Sequence, residues 1–236
     1  MCVDYRLEVD LVGNRDAKNT VVRYGYRDKL LGLFYTLLEN VAPVMAQKLH
    51  SVGYRDICGR YYKYYTYAFT PKEPAYTPDG LVSLNNIWSY KFGSADRKLL
   101  SLLETAFSAV GSVVIGGEKF QVHDIKRIPL KNHGGVFYCL SPLTVKNGER
   151  YLTPENPEFN DAVVKALLNR YESWTGKKGI ASFRFLKPRR RLEFFNEGRI
   201  LGFSGKLELY GPPEIVKFAQ AVGLGQKNSI GLGMIA

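Results

Sequence analysis

Apolar and polar residues alternate from the start of the chain. Val3, Tyr5, Leu7, Val9 and Leu11 fall on one face of an extended segment, so residues 2–12 read as a strand. The period then changes. Leu30, Leu33, Phe34, Leu37 and Leu38 recur at helical spacing, with Asp28 placed to cap their helix. Pro43 lacks a backbone donor and crowds the preceding turn, so it interrupts that helix. A second helical piece reaches about His50 and stops at Gly53. The aromatic run "YYKYYTYAFT" (61–70) reads as a strand, and so does "LVSLNNIWSYKF". Leu99, Leu100, Leu102, Leu103, Ala106 and Phe107 predict an amphipathic helix over 95–110. "VVIGGEKFQVHDIKRI" follows as a hairpin or a bent strand.

The order then repeats. "GVFYCLSPLTVK" is a strand, and Phe159, Val163, Val164, Leu167, Leu168 and Tyr171 mark a helix over 157–174. "GIASFRFLK" and "RILGFSGKLELYG" are strands with a basic turn between them. "PPEIVKFAQAVG" opens on prolines that suit a first helical turn. A glycine loop and a short strand, "MIA", finish the sequence. Each half thus reads β-α-β-β-α-β. This predicts an α+β protein of two tandem ferredoxin-like (RRM-like) domains, each an antiparallel sheet with two helices on one face. The halves divide near "IPLKNHGG", into 1–130 and 131–236. They share the order of elements and little side-chain identity.

Composition narrows the function. The chain has 236 residues, and 45% are hydrophobic, enough for a real core. No apolar run approaches the roughly 20 residues of a membrane span. "MCVDYRLEVD" carries acids where a signal peptide would be basic and then apolar. Cys2, Cys58 and Cys139 are too widely spaced for a disulfide framework or a metal motif. A cytoplasmic protein without structural metal or cofactor is expected. The net charge is +11, and residues 131–236 hold 16 basic against 9 acidic side chains. With 16 Tyr and 13 Phe, the composition suits a polyanion whose bases can stack. A basic protein with no nucleic-acid role is the plain alternative.

"KKGIASFRFLKPRRR" (177–191) holds seven positive charges and no acid. Pro188 suits a turn, which would put Lys187, Arg189, Arg190 and Arg191 at the tip of a ribbon that can follow a phosphate backbone. A solvated turn is the other reading.

Three histidines offer acid–base chemistry. His123 sits in an expected strand, as a structural residue would. His133 lies in the Gly-rich linker, open to solvent. His50 ends a helix, where it is either a C-cap or a functional group. Tyr35 is either a core aromatic or its partner. On one straight helix the two would stand about 22 Å apart at 1.5 Å per residue. A sharp bend at Pro43 would bring them together. There is no Ser-His-Asp order, no H-E-x-x-H and no carboxylate cluster for two-metal chemistry. A nuclease built this way works without metal, which favours RNA with its internal 2′-hydroxyl.

"GLGQKNSIGLG" (223–233) is neither a dinucleotide loop nor a P-loop. It is a G-x-G-x-x-x-S-x-G-x-G motif. It stands in order behind "YGYRDKLLGLFYTLL", "AQKLHSVGY", "SPLTVK…YLTPENPEF" and "ILGFSGKLELYGPPEIVKFAQAVG". With these motifs the whole chain resembles the CRISPR-associated repeat-processing endoribonucleases of the RAMP superfamily. The resemblance implies two ferredoxin-like domains and metal-independent cleavage of CRISPR repeat RNA in its precursor transcript. The 2′-hydroxyl attacks, leaving a 2′,3′-cyclic phosphate (or 3′-phosphate) and a 5′-hydroxyl. It implies a catalytic tyrosine and histidine, matched by Tyr35 and His50, and a lysine soon after. That lysine is missing where expected; Arg55, or Lys63 further on, supplies the charge or the role is vacant. In the loop, Gly223, Gly225, Gly231 and Gly233 would bring backbone N–H groups to RNA phosphates. Lys227 would add charge, and Asn228 and Ser229 hydrogen bonds. The resemblance leaves open a CRISPR effector complex, a homodimer, and a non-catalytic RNA-binding role within the superfamily.

Overall fold

The computed structural model describes residues 3–13, 20–56 and 59–236. Cys2, Cys58 and the first residue of the expected opening strand lie outside them.

The first half opens with β1 (Tyr5–Gly13), followed by β2 (Val21–Arg23), α1 (Arg27–Val41) and α2 (Pro43–Ser51). Two short strands, β3 (Tyr54–Arg55) and β4 (Tyr61–Tyr62), pair with each other. Next come β5 (Tyr65–Pro71), β6 (Pro74–Tyr76), β7 (Gly80–Ser83) and β8 (Ile87–Ser94). The half ends with α3 (Arg97–Ala109), β9 (Ser112–Ile115) and β10 (Glu118–Pro129). The main sheet has the antiparallel order β5-β8-β1-β10-β9. Without β9, this is the ferredoxin-like order. The alternation in β1 puts Leu7, Val9 and Leu11 against Leu30, Phe34 and Leu38 of α1 and Leu99, Leu103 and Phe107 of α3, all buried.

Several local expectations change. Asp28 lies inside the first turn of α1, and the N-cap position is Tyr26. In "YYKYYTYAFT", Lys63 and Tyr64 separate β4 from β5. "LVSLNNIWSYKF" is also two strands, because Asn86 takes φ 56° and turns the chain. Gly116 and Gly117, at φ 63° and 90°, settle the hairpin between β9 and β10.

The second half contains β11 (Gly135–Tyr138), the small pair β12 (Lys146–Asn147) and β13 (Arg150–Tyr151), α4 (Phe159–Thr175), β14 (Ser182–Phe195), β15 (Gly198–Tyr210) and α5 (Pro213–Val222). The sheet order is β11-β15-β14. The expected strand from Gly135 lasts four residues before the chain turns away. Residues 234–236 line its free edge: Tyr138 N–H donates to the Ala236 carbonyl at 2.8 Å, and Ala236 N–H returns at 2.9 Å. That completes a second ferredoxin-like sheet. Phe159, Val163 and Leu167 of α4 and Ile215, Val216 and Ala219 of α5 fill its core.

The basic run is not a turn. β14 continues to Phe195, and the hairpin reverses at Asn196 and Glu197, where Asn196 has φ 51°. Pro188 sits within β14, beside a register shift between Phe185 and Lys187. An edge strand tolerates it because no outer neighbour needs a backbone donor at that position. Lys187 and Arg189–Arg191 therefore lie along an arm.

The halves touch closely. A Cβ on Gly93 of β8 would stand 2.5 Å from the Ala221 carbonyl, so only glycine lets α5 approach. The Gln220 side chain accepts from Lys131 N–H at 3.1 Å and donates to the Lys131 carbonyl at 2.8 Å, pinning the connection.

Candidate active site and nucleic-acid interface

Pro43 occupies the first turn of α2, and Ala42 between the helices takes φ −154° and ψ 67°. The helices therefore fold back on each other. Tyr35 and His50, separated by fifteen positions, meet with ring centroids 4.9 Å apart at 71°. Tyr35 is 7% exposed, whereas His50 is open to solvent.

Lys63 also reaches this pair. Its Nζ donates to the Tyr35 hydroxyl at 3.2 Å and to the His50 carbonyl at 3.3 Å. Tyr35 donates to the Leu49 carbonyl at 3.2 Å, leaving Tyr65 to supply the proton of their 3.0 Å contact. Burial, and then the neighbouring Tyr35, holds the Tyr65 hydroxyl protonated far above its usual range. The result is a cation fixed beside an exposed imidazole on a hydroxyl network. Gly53 makes room for it. At φ +92°, a Cβ there would stand 2.6 Å from the Tyr62 carbonyl and 3.2 Å from the Lys63 side chain. Arg55 sits on β3 opposite Tyr61, exposed, on the ribbon leading to Lys63. Tyr35 has its hydroxyl occupied within the protein, so its geometry suits support of Lys63 and His50.

The glycine loop is mostly interior. Gly223, Gly225, Gly231 and Gly233 are buried with φ between 69° and 81°. The N–H groups of Gly223, Gly231 and Gly233 donate to the Ala219, Asn228 and Pro142 carbonyls, each at 2.8 Å. Three of the four amides expected to face phosphate are therefore spent on the fold. Asn228 is 5% exposed. Its amide donates to the Leu224 and Leu232 carbonyls at 2.9 Å each, and its oxygen accepts from Arg170. Arg170, buried in α4, also donates to the Val222 carbonyl at 3.1 Å and the Gly223 carbonyl at 2.8 Å. Burial lowers its pKa to about 10, still charged at neutral pH. Asn228 thus clamps the loop to α4, and Lys227 (exposed) and Ser229 (half-buried) are left at the surface.

The basic arm borders a cleft of about 950 Å³. Lys187, Arg189, Arg190 and Arg191 line one wall, with Tyr24 and Tyr76 of the first half across from them. Arg27, 4% exposed, ties these parts together: it donates to Glu193 of the arm at 2.7 Å and to the Gly231 carbonyl at 2.7 Å. Sequence reasoning missed Arg27, Tyr65 and Arg170. Only the polar identity of each within an apolar helical or strand pattern hinted at them.

Residues 125–236 match the family model described as CRISPR associated protein Cas6, C-terminal. A curated relative, the CRISPR-associated endoribonuclease Cas6 of Pyrococcus furiosus, is 28% identical over 229 residues, covering 91% of this chain and 83% of its own. The second half of the chain carries a Cas6 C-terminal domain, and the chain as a whole is similar to Cas6 endoribonucleases. A second Cas6 relative, CRISPR-associated endoribonuclease Cas6 1 of Methanocaldococcus jannaschii, is 22% identical over 228 residues, 92% of this chain and 87% of its own. The solved structure of a Cas6-related protein from Pyrococcus furiosus superposes with a TM-score of 0.84 at 22% identity, over 99% of this chain and 98% of that one. The Cas6 likeness thus spans both halves, with the tandem ferredoxin-like architecture. Among the described residues, no helix is long and apolar enough to cross a membrane.

Proposed function

We propose that this chain is an endoribonuclease that cuts CRISPR repeat RNA in the precursor transcript, with His50, Lys63 and Tyr35 as its working groups. The observation that carries the reading is their convergence across the Pro43 bend: the buried Tyr35 ring meets the exposed His50 imidazole, and Lys63 bonds the Tyr35 hydroxyl and the His50 backbone carbonyl. His50 takes the proton from the 2′-hydroxyl, or gives one to the departing 5′-oxygen. The 2′-oxygen attacks the adjacent phosphorus, and the bond from phosphorus to the 5′-oxygen breaks. A 2′,3′-cyclic phosphate and a 5′-hydroxyl result. Lys63 stabilises the charge that builds on the phosphoryl oxygens. Tyr35 holds the lysine and flanks the imidazole. No step calls for a metal.

The division of labour follows the charge. Residues 1–130 supply the reacting groups. Residues 131–236 supply much of the grip, through Lys187, Arg189, Arg190, Arg191, Lys227 and Ser229. This reading places the protein in the cytoplasm with its transcript.

Purified protein in EDTA with repeat RNA tests it. His50→Ala should slow cleavage by about 10²–10⁴, the usual worth of a general acid or base. Undiminished cleavage by that variant removes His50 from the site. A single 2′-deoxy nucleotide at the cut should block the reaction while leaving binding intact.

A further inference from the structure

The ribbon that delivers Lys63 has two faces with opposite characters. Tyr54 pairs in register with Tyr62, and Arg55 with Tyr61. Paired residues share a face, and neighbours alternate. The inner face carries Tyr54, Tyr62 and, just beyond, Tyr64. These rings pack on one another and on Trp174 of α4, with centroids between 4.8 and 5.7 Å. The Tyr64 hydroxyl meets Ser173 Oγ at 2.7 Å, and Ser173 Oγ donates to Asp56 at 3.2 Å. The ribbon is thereby fixed to the second half of the molecule.

The outer face carries Arg55 and Tyr61, followed by Lys63. Tyr61 is 51% exposed. It stands directly across from the exposed Arg55 and two positions before the lysine that touches Tyr35 and His50. A ring on a rigid ribbon, paired with a guanidinium and next to a cleavage site, has the chemistry of a base-stacking platform. We infer that Tyr61 stacks on an unpaired RNA base flanking the scissile phosphate, while Arg55 contacts the phosphate of the same nucleotide. This rests on the His50–Lys63–Tyr35 reading of the active site and adds a nucleotide subsite to it. It also gives Arg55 a binding role in place of a catalytic one.

The test couples protein and RNA changes. Uncleavable repeat RNAs with a 2′-deoxy at the cut are made with one abasic site, moved along the nucleotides around the scissile phosphate. Affinity is measured for the wild type, Tyr61→Ala and Tyr61→Phe. Tyr61→Ala should weaken binding of intact RNA by roughly 5- to 150-fold, the range for one stacked base. Tyr61→Phe should keep most of the affinity. An abasic site at the stacked nucleotide, adjacent to the cut, should cost the wild type a similar factor and cost Tyr61→Ala little. Equal losses for both proteins at every position, or coupling only at a nucleotide remote from the cut, would overturn the inference. Because the readout is binding, it stands apart from the His50→Ala cleavage assay. Unchanged cleavage there would remove the catalytic reading even if the coupling were found. Matching melting temperatures for the three proteins separate loss of stacking from loss of fold.

Discussion

At the scale of single residues, the active site turns on which cation reaches Tyr35. The sequence offered Arg55 and Lys63 with no ground for choosing, because proximity here depends on a two-stranded ribbon only two residues long. The contact of Lys63 Nζ with both the Tyr35 hydroxyl and the His50 carbonyl decides it. Lys63→Ala should slow single-turnover cleavage by about 10²–10³, the cost of losing one charge-stabilising group. Arg55→Ala should leave the cleavage rate at saturating RNA near wild type and raise the protein concentration needed for half-saturation. The reverse pattern would return the catalytic charge to Arg55. Tyr35 and His50 were legible as a pair because proline announces a bend. The hydroxyl partners of Tyr35 were not legible, since a tyrosine at a helical core position looks the same whether or not its hydroxyl finds a partner.

At the scale of elements, periodicity served well wherever a segment buried one face. β1, α1, α3, α4 and α5 all follow their apolar spacing. It failed where turn chemistry sat inside an apolar run, as at Asn86, and where a proline lay on a strand edge, as at Pro188. The glycine loop shows the same limit. Its motif was plain, yet its polar centre divides by burial, which spacing does not encode. Lys227 and Asn228 are neighbours with opposite duties, and two variants should separate them. Asn228→Ala breaks a hydrogen bond to a buried guanidinium and should cost about 1.5–3 kcal/mol of stability, lowering Tm by several degrees. Affinity per folded molecule should hold. Lys227→Ala should leave Tm unchanged, weaken RNA binding and reduce its salt dependence by about one phosphate contact. Thermal melts and a salt titration of binding read out the two effects.

At the scale of the whole molecule, the tandem architecture came from the repeated order of elements, while the way the halves meet came only from the coordinates. Gly93 under α5, Gln220 on Lys131 and Arg27 between α1, the basic arm and the glycine loop are each a single side chain or its absence. Arg27 has the furthest consequence. Its ion pair with Glu193 is largely shut away from water, so swinging the arm from the first half would strand a buried charge. Two gripping points that cannot move apart form a gauge. A strand held by the arm at one place and cut beside His50 at another is measured by the span of protein between them. Inserting two or three nucleotides between the gripped segment and the cut should therefore depress cleavage rather than relocate it. Sequencing the product ends would show this, and cuts displaced by the inserted length at full rate would count against a fixed span. Processed RNAs of uniform length would then be a property of a stiff protein, set by an arginine that is itself almost wholly buried.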